Sequence, residues 1–334
     1  MGNRKRSFKN MDRRQFLKTS AVGCAALGLS SLGFPSIAIS KTTMKVGYIP
    51  ILDHFAMLMS HSRDNSSFKA IDIEPVLFKS WDALSGALKA NVISGAMILS
   101  NFGMDLFNNG LDIRSVAIGH RHGSGLTVRA DSSIKSPADL KGKTVAVPYR
   151  VSTHAVILNK YLQGGGLSLK DVTVMAVPPP NMPESLKAGS IDAYLGPEPA
   201  GERAVQAGTG KILKLSKDIM PNHICCVAVV HKQQLSSNPE GIREWVHSMQ
   251  RSGKFIDQDK AKGSQEVATL AQKYVQIDAR VIVNVMQQPS NRIIYSDLAP
   301  KLADYQTIHD MSVSAGLIQK TDLKTFVDES FAKG

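Results

Sequence analysis

Short apolar runs alternate along the chain with stretches of helical period. Met44–Ile49, Ile73–Phe78, Ala96–Leu99 and Arg114–Ile118 read as strands, with helical patterns between them such as the one that starts at Trp81. A second series follows: Thr144–Val147, a helix from Thr153 to Leu162, Val172–Val177, a helix from Pro183 to Ala188, Ala193–Leu195 and Lys211–Leu215. Cys225–Val230 is a further apolar run. After Asn238 the pattern is mainly helical, through Pro239–Phe255, Ser264–Tyr274 and Lys301–Val313. The alternation predicts an α/β chain with parallel sheets covered on both faces.

One phrase occurs twice. Residues 87–99 read ALKANVISGAMIL and residues 185–197 read SLKAGSIDAYLGP. Leu88 falls on Leu186, Lys89 on Lys187, Ala90 on Ala188 and Ile93 on Ile191, with no gap. Each copy predicts an amphipathic helix, a tight turn at Asn91 or Gly189, and a buried strand. The next residue is Ser100 in one copy and Glu198 in the other. Ligands of open α/β sheets sit beyond the carboxyl ends of strands. The repeat therefore predicts two similar lobes that face one shared cleft.

Length and charge refine this picture. The chain has 334 residues, a prior of about two domains, and 43% of them are hydrophobic, enough for a sizeable core. Residues 1–40 carry Arg4, Lys5, Arg6, Lys9, Arg13, Arg14 and Lys18 against Asp12, half of the net charge of +12. The remainder is too dispersed for a nucleic-acid footprint and suits an anionic small ligand. Within the leader, a basic segment precedes an Ala/Gly/Ser-rich apolar run that ends in Ala38-Ile39-Ser40, a cleavage site before Lys41. Asp12-Arg13-Arg14-Gln15-Phe16-Leu17-Lys18 resembles a twin-arginine export signal, whose pathway carries folded proteins. Lipid anchoring at Cys24 is the alternative, although Thr19–Gly23 is a short apolar run for it. No later segment has the roughly 18 apolar residues that span a bilayer. The mature chain is expected to be periplasmic.

Cys24, Cys225 and Cys226 are the three cysteines. Neighbouring cysteines rarely bond to each other, no zinc spacing is present, and no metal or cofactor is expected. Cys225 and Cys226 read as small apolar residues on a strand.

The phrases Val46-Gly47-Tyr48-Ile49-Pro50, Ser136-Pro137-Ala138-Asp139-Leu140, and Val177-Pro178-Pro179-Pro180-Asn181-Met182 with its continuation to Glu198-Pro199 carry a family resemblance. They closely resemble the ABC-transporter substrate-binding proteins of the nitrate/sulfonate/taurine/bicarbonate group, over about 45–230. The resemblance implies a two-lobed type II periplasmic-binding-protein fold with a helical C-terminal tail. Lobe I would comprise 44–126 plus 229–334 and lobe II 127–228. It further implies a small-molecule ligand gripped by lobe closure, an ABC permease and ATPase as partners, a monomeric mature form and no catalysis.

The candidate ligand-binding residues follow. Ser152 and Thr153 sit where a strand gives way to a helix; they cap it or form an anion site. His154 falls where nitrate- and bicarbonate-binding relatives carry a cleft histidine. It can donate to an anion and, when protonated, add charge. Trp81 is a core anchor or, by the resemblance, part of the cleft wall. Ser100 and Asn101 end one copy of the repeat. Ser124 lies at the approach to lobe II, near a glutamine of nitrate binders. Asp53 and His54 follow the first strand, as a turn or as ligand contacts; Asn181 and Cys225 complete the set. Glu198 binds a ligand ammonium, meets an internal Arg or Lys, or holds a metal ion. As a ligand contact it points to a zwitterion such as an aminosulfonate. Two departures from nitrate binders argue against nitrate: no lysine near Asn222–Cys226, and Ala200 in place of an aromatic. The competing readings are a sensing partner of a membrane receptor and an enzyme similar to thiamine-pyrimidine synthases.

Overall fold

The computed structural model describes residues 41–333; the leader, its cleavage site and Cys24 lie outside the described residues. Two five-stranded sheets organise the chain. The first has the order β2-β1-β3-β11-β4, from β1 (Thr42–Tyr48), β2 (Ile71–Leu77), β3 (Gly95–Leu99), β4 (Ile113–Ile118) and β11 (Cys226–His231). The second has the order β10-β6-β9-β7-β8, from β6 (Ser124–Arg129), β7 (Thr144–Val147), β8 (Thr173–Ala176), β9 (Ala193–Pro197) and β10 (Gly210–Leu215). β5 (Arg121–His122) pairs with β12 (Ile293–Ile294) as a separate ribbon.

Read from β8, the second sheet repeats the plan of the first. Three parallel strands come in the order second, first, third, followed by a reversed strand and then a final one. The reversed strands depart from the all-parallel expectation. β11 runs antiparallel to β3 and β4, and β6 runs antiparallel to β9 and β10. Each is a strand by which the chain passes between sheets, so it enters against the local direction.

The repeated phrase lands on the third strand of each sheet, and its turn and strand-entry hydrogen bonds match. Asn91 N–H donates to Leu88 O and Gly189 N–H to Leu186 O, both at 3.1 Å. Ser94 N–H donates to Lys45 O on β1 and Asp192 N–H to Thr144 O on β7, both at 2.9 Å. Asn91 and Gly189 both have positive φ, 54° and 73°. Glycine adopts that conformation without penalty and asparagine tolerates it, so these two residue types interchange at one turn. Leu88 and Leu186 are fully buried at the equivalent helical position.

The C-terminal third is helical. Its longest helix, Pro239–Lys260, starts at Asn238, whose side chain accepts from Gly241 N–H, with proline in the first turn. Ile242, Trp245, Val246 and Met249 form its buried stripe, in one cluster with Phe55 and Leu58 of the helix Phe55–Asp64. Among the described residues no helix is long and apolar enough to cross a membrane. A second apolar cluster includes Ile98 and Leu99 from the first sheet and Leu126, Val145 and Leu195 from the second.

Candidate ligand site

The carboxyl ends of the parallel strands bring the two sheets' polar residues together. Ser100 N–H donates to Cys225 O at 2.8 Å, and Glu198 N–H donates to Gly123 O at 2.9 Å. These are equivalent bonds, each from the end of a third strand to the incoming crossing strand.

At the Ser100 end the side chains are neutral and reach the other sheet's elements. The Asn101 carbonyl oxygen accepts from the Ser100 hydroxyl at 3.2 Å and from the Thr153 hydroxyl at 3.0 Å. The Asn101 amide donates to Ser312 of the tail. All four side chains are fully buried. Ser152 is the cap of the helix Thr153–Gln163, accepting from Ala155 N–H at 3.1 Å. Of its two expected roles, the structure shows the cap. Ser124 Oγ lies 3.0 Å from His154 Nε2, and His154 Nδ1 has no partner among the described residues.

The charge that a protonated His154 would add is not available at neutral pH. Burial pushes its pKa down to about 3, and the neighbouring His223 and His120 push in the same direction. At neutral pH it is a neutral hydrogen-bonding group. His54 is held near 3 as well, by burial first and by His120 next. Its Nδ1 accepts from Ile49 N–H at 3.0 Å, so its proton sits on Nε2. The His54 ring meets Trp81 edge-on at 5.8 Å between centroids. Trp81 is buried at the start of the helix Trp81–Lys89, which Ser80 caps.

At the Glu198 end the arrangement is charged and closed. Arg292 forms an ion pair with Glu198 Oε1 and donates from Nη1 to Glu202 Oε2 at 3.0 Å. Glu202 N–H donates to Glu198 Oε2 at 3.2 Å. Burial raises the Glu198 pKa, while Arg292 opposes the rise. Of the three roles left open for Glu198, internal pairing with an arginine is the one observed. No signal pointed to Arg292, which is 94 positions away and in the tail.

Asp53 and His54 lie in a short 3-10 turn, Leu52–His54, and both are fully buried. Asp53 Oδ2 lies 3.1 Å from His120 Nε2 and 3.7 Å from Cys226 Sγ. With Cys225 these residues form a buried group whose ligand-capable atoms all lie within 4.8 Å of one another. Burial opposes charge on His120, but Asp53 and the Cys225 thiol outweigh it and hold its pKa up at about 10. The Cys225 thiol is lowered: burial raises it, and hydrogen bonds from Cys226 and His120 overcome that. The two cysteines thus have polar partners, which a purely apolar strand role does not explain. Sequence reasoning missed His120 and Cys226 because residues 53, 120, 225 and 226 share no spacing rule.

A cavity of about 480 Å³ opens beside these groups. Tyr48, Pro50 and Leu77 line it from the first sheet's strand ends, and Pro179, Pro180, Asn181, Pro197 and Pro199 from the second's. Lys79, Arg203 and Lys273 also line it, and no acidic side chain does. None of the three cations is in an ion pair among the described residues. Of the expected site residues, Asn181 lines this cavity directly. The others form the buried polar groups described above.

Comparison with known proteins agrees with this architecture. Residues 38–272 match the sequence profile described as the NMT1-like family, and residues 10–30 match that of the twin-arginine translocation pathway signal. The nitrate/nitrite binding protein NrtA of a Nostoc strain is 22% identical over 81% of this chain, which spans 66% of that relative's length. A ligand-binding component of an ABC-type import system from Staphylococcus aureus, solved with zinc bound, superposes with a TM-score of 0.79 at 24% identity, covering 87% of this chain and 98% of that one. The alkanesulfonate-binding protein SsuA of Xanthomonas axonopodis pv. citri, bound to MOPS, superposes with a TM-score of 0.73 at 16% identity, covering 86% and 99%. At these identities the superpositions establish a shared fold.

Proposed function

The chain belongs to the NMT1-like family and carries a twin-arginine export signal, and from that premise we propose that it is the extracytoplasmic solute-binding component of an ABC importer. Its solute is an organic anion with an apolar body, held between two lobes. The lobes expected at 44–126 plus 229–334 and at 127–228 would cut β6 and β11 in two; keeping each strand whole with its own sheet moves the proposed crossings to just before β6 and just before β11. The mature chain acts as a monomer that delivers its solute to a permease driven by an ATPase, and it binds rather than catalyses.

The observation that carries the solute class is the cavity lining. Three unpaired cations without an acid favour a negative charge, and Tyr48, Ile51, Ile277 and the prolines favour an apolar body. The prolines also fix the wall in advance, which lowers the entropy lost on binding. A zwitterion loses its supposed negative partner, because Arg292 already occupies Glu198. Relatives named for nitrate/nitrite and for alkanesulfonates handle oxyanions, which is compatible with this class. A thermal-shift screen of alkanesulfonates, taurine, nitrate and bicarbonate tests it. Short alkanesulfonates should raise the melting temperature more than taurine, and nitrate least. No shift with any anion at millimolar concentration would overturn the proposal.

A further inference from the structure

The buried group of Asp53, His120, Cys225 and Cys226 has the makings of a metal centre. Asp53 follows β1, His120 follows β4, Cys225 immediately precedes the reversed strand β11 and Cys226 begins it. Because β11 runs against β1 and β4, its first residues meet the segments that follow them at one end of the first sheet. All four side chains are fully buried.

The distances are those of a hydrogen-bonded group, and they also fit a coordination shell. In a tetrahedral zinc site, bonds of about 2.0–2.1 Å to nitrogen and oxygen and about 2.3 Å to sulfur place nitrogen and oxygen about 3.3 Å apart. The same bonds place sulfur and oxygen about 3.6 Å apart, and two sulfurs about 3.8 Å apart. Here His120 Nε2 lies 3.1 Å from Asp53 Oδ2, and Cys226 Sγ lies 3.7 Å from the same oxygen. No pair of ligand atoms in the group exceeds 4.8 Å. The shell thus needs an adjustment of about 1 Å at most, within reach of a side-chain rotation. Asp53 Oδ1 has no hydrogen-bond partner among the described residues, so the carboxylate can turn without breaking a bond on that side.

From this geometry we infer that Asp53, His120, Cys225 and Cys226 bind one zinc-class ion. Two thiolates and an imidazole suit a borderline-soft divalent cation and disfavour calcium or magnesium, which take oxygen ligands. On binding, the two thiols and the His120 imidazolium release their protons to solvent, and three anionic ligands with one neutral imidazole face a divalent charge. The excess of one negative charge is small for a closed four-ligand site. The twin-arginine pathway exports folded chains, so the thiols can take up the ion before they meet an oxidising compartment. Ser100 N–H donates to Cys225 O at 2.8 Å, which ties the group to the end of β3. The inference stands independently of the organic-anion reading, since none of these four residues lines the 480 Å³ cavity.

Cobalt(II) and zinc titrations of the reduced, metal-stripped mature protein, with no organic solute present, test it. The parent should bind one cobalt ion per chain with a thiolate-to-cobalt charge-transfer band, and zinc should displace it. Cys225→Ser and His120→Gln should each weaken zinc at least about 100-fold, more than the loss of an outer-sphere partner does. Parent protein without the band would overturn the inference, and this reading does not depend on any variant folding. Unchanged zinc affinity in a folded His120→Gln variant would also overturn it, by reducing the site to the cysteines alone.

Discussion

Ser100 and Glu198 occupy the same place in the two halves of the molecule and are used in opposite ways. Both end a third strand, and both donate a backbone N–H to the crossing strand at nearly the same distance, 2.8 and 2.9 Å. Ser100 joins a neutral network that reaches Thr153 of the other half through Asn101. Glu198 is locked to Arg292 and fixes the tail to the second sheet. A repeated backbone phrase therefore predicts position well and role poorly. What the side chain does depends on which distant segment packs over it.

That contrast can be broken from either end. Arg292→Ala leaves Glu198 and Glu202 buried against each other without their cation. It should cost about 3–5 kcal/mol in urea unfolding. A loss below 1 kcal/mol would mean the ion pair does not hold the tail. Truncating the repeat's shared anchor tests its structural equivalence. Leu88→Ala and Leu186→Ala should each cost about 2–5 kcal/mol, since both leucines are fully buried at matched positions. Clearly unequal losses would show that the two copies are not packed alike. Thr153→Ala removes a neutral hydroxyl that donates to Asn101 and also lies within reach of Ser100 and Cys225 O, and should cost only about 1–2 kcal/mol.

The remaining effect concerns pH. His154 has its folded pKa depressed to about 3 from an ordinary 6.5, so the unfolded chain binds its proton first. Its contribution is full above pH 6.5 and is lost as the pH falls from there toward 3. His154→Gln should flatten the fall in melting temperature between pH 6.5 and 4 relative to the parent. An unchanged slope would place the acid sensitivity elsewhere.

Much of the fold was legible because it is written in local period and turn chemistry. Asn91 and Gly189 revealed the turns, the alternation revealed the strands, and Ser152 revealed a helix start. The reversed strands β6 and β11 were not legible, because strand direction within a sheet is set by the chain's path and leaves no mark on the strand itself. Of the candidate residues, Ser152 to His154 come from one segment, and a sequence can single out such a run. Arg292, His120 and Ser312 reach the site from remote parts of the chain, and no spacing announces them. His154 was singled out as a candidate, and its neutrality follows from burial, which a single sequence does not display.

Calorimetry of one short alkanesulfonate against the mature parent and the Lys79→Ala/Arg203→Ala double variant tests the central claim most directly. Both substitutions remove charge from the wall of the cavity and leave the buried networks untouched. The account predicts about a 100-fold or greater loss of affinity, roughly 2.7 kcal/mol, with the fold intact by circular dichroism. Equal affinity in the parent and the double variant would contradict it and place the anion elsewhere.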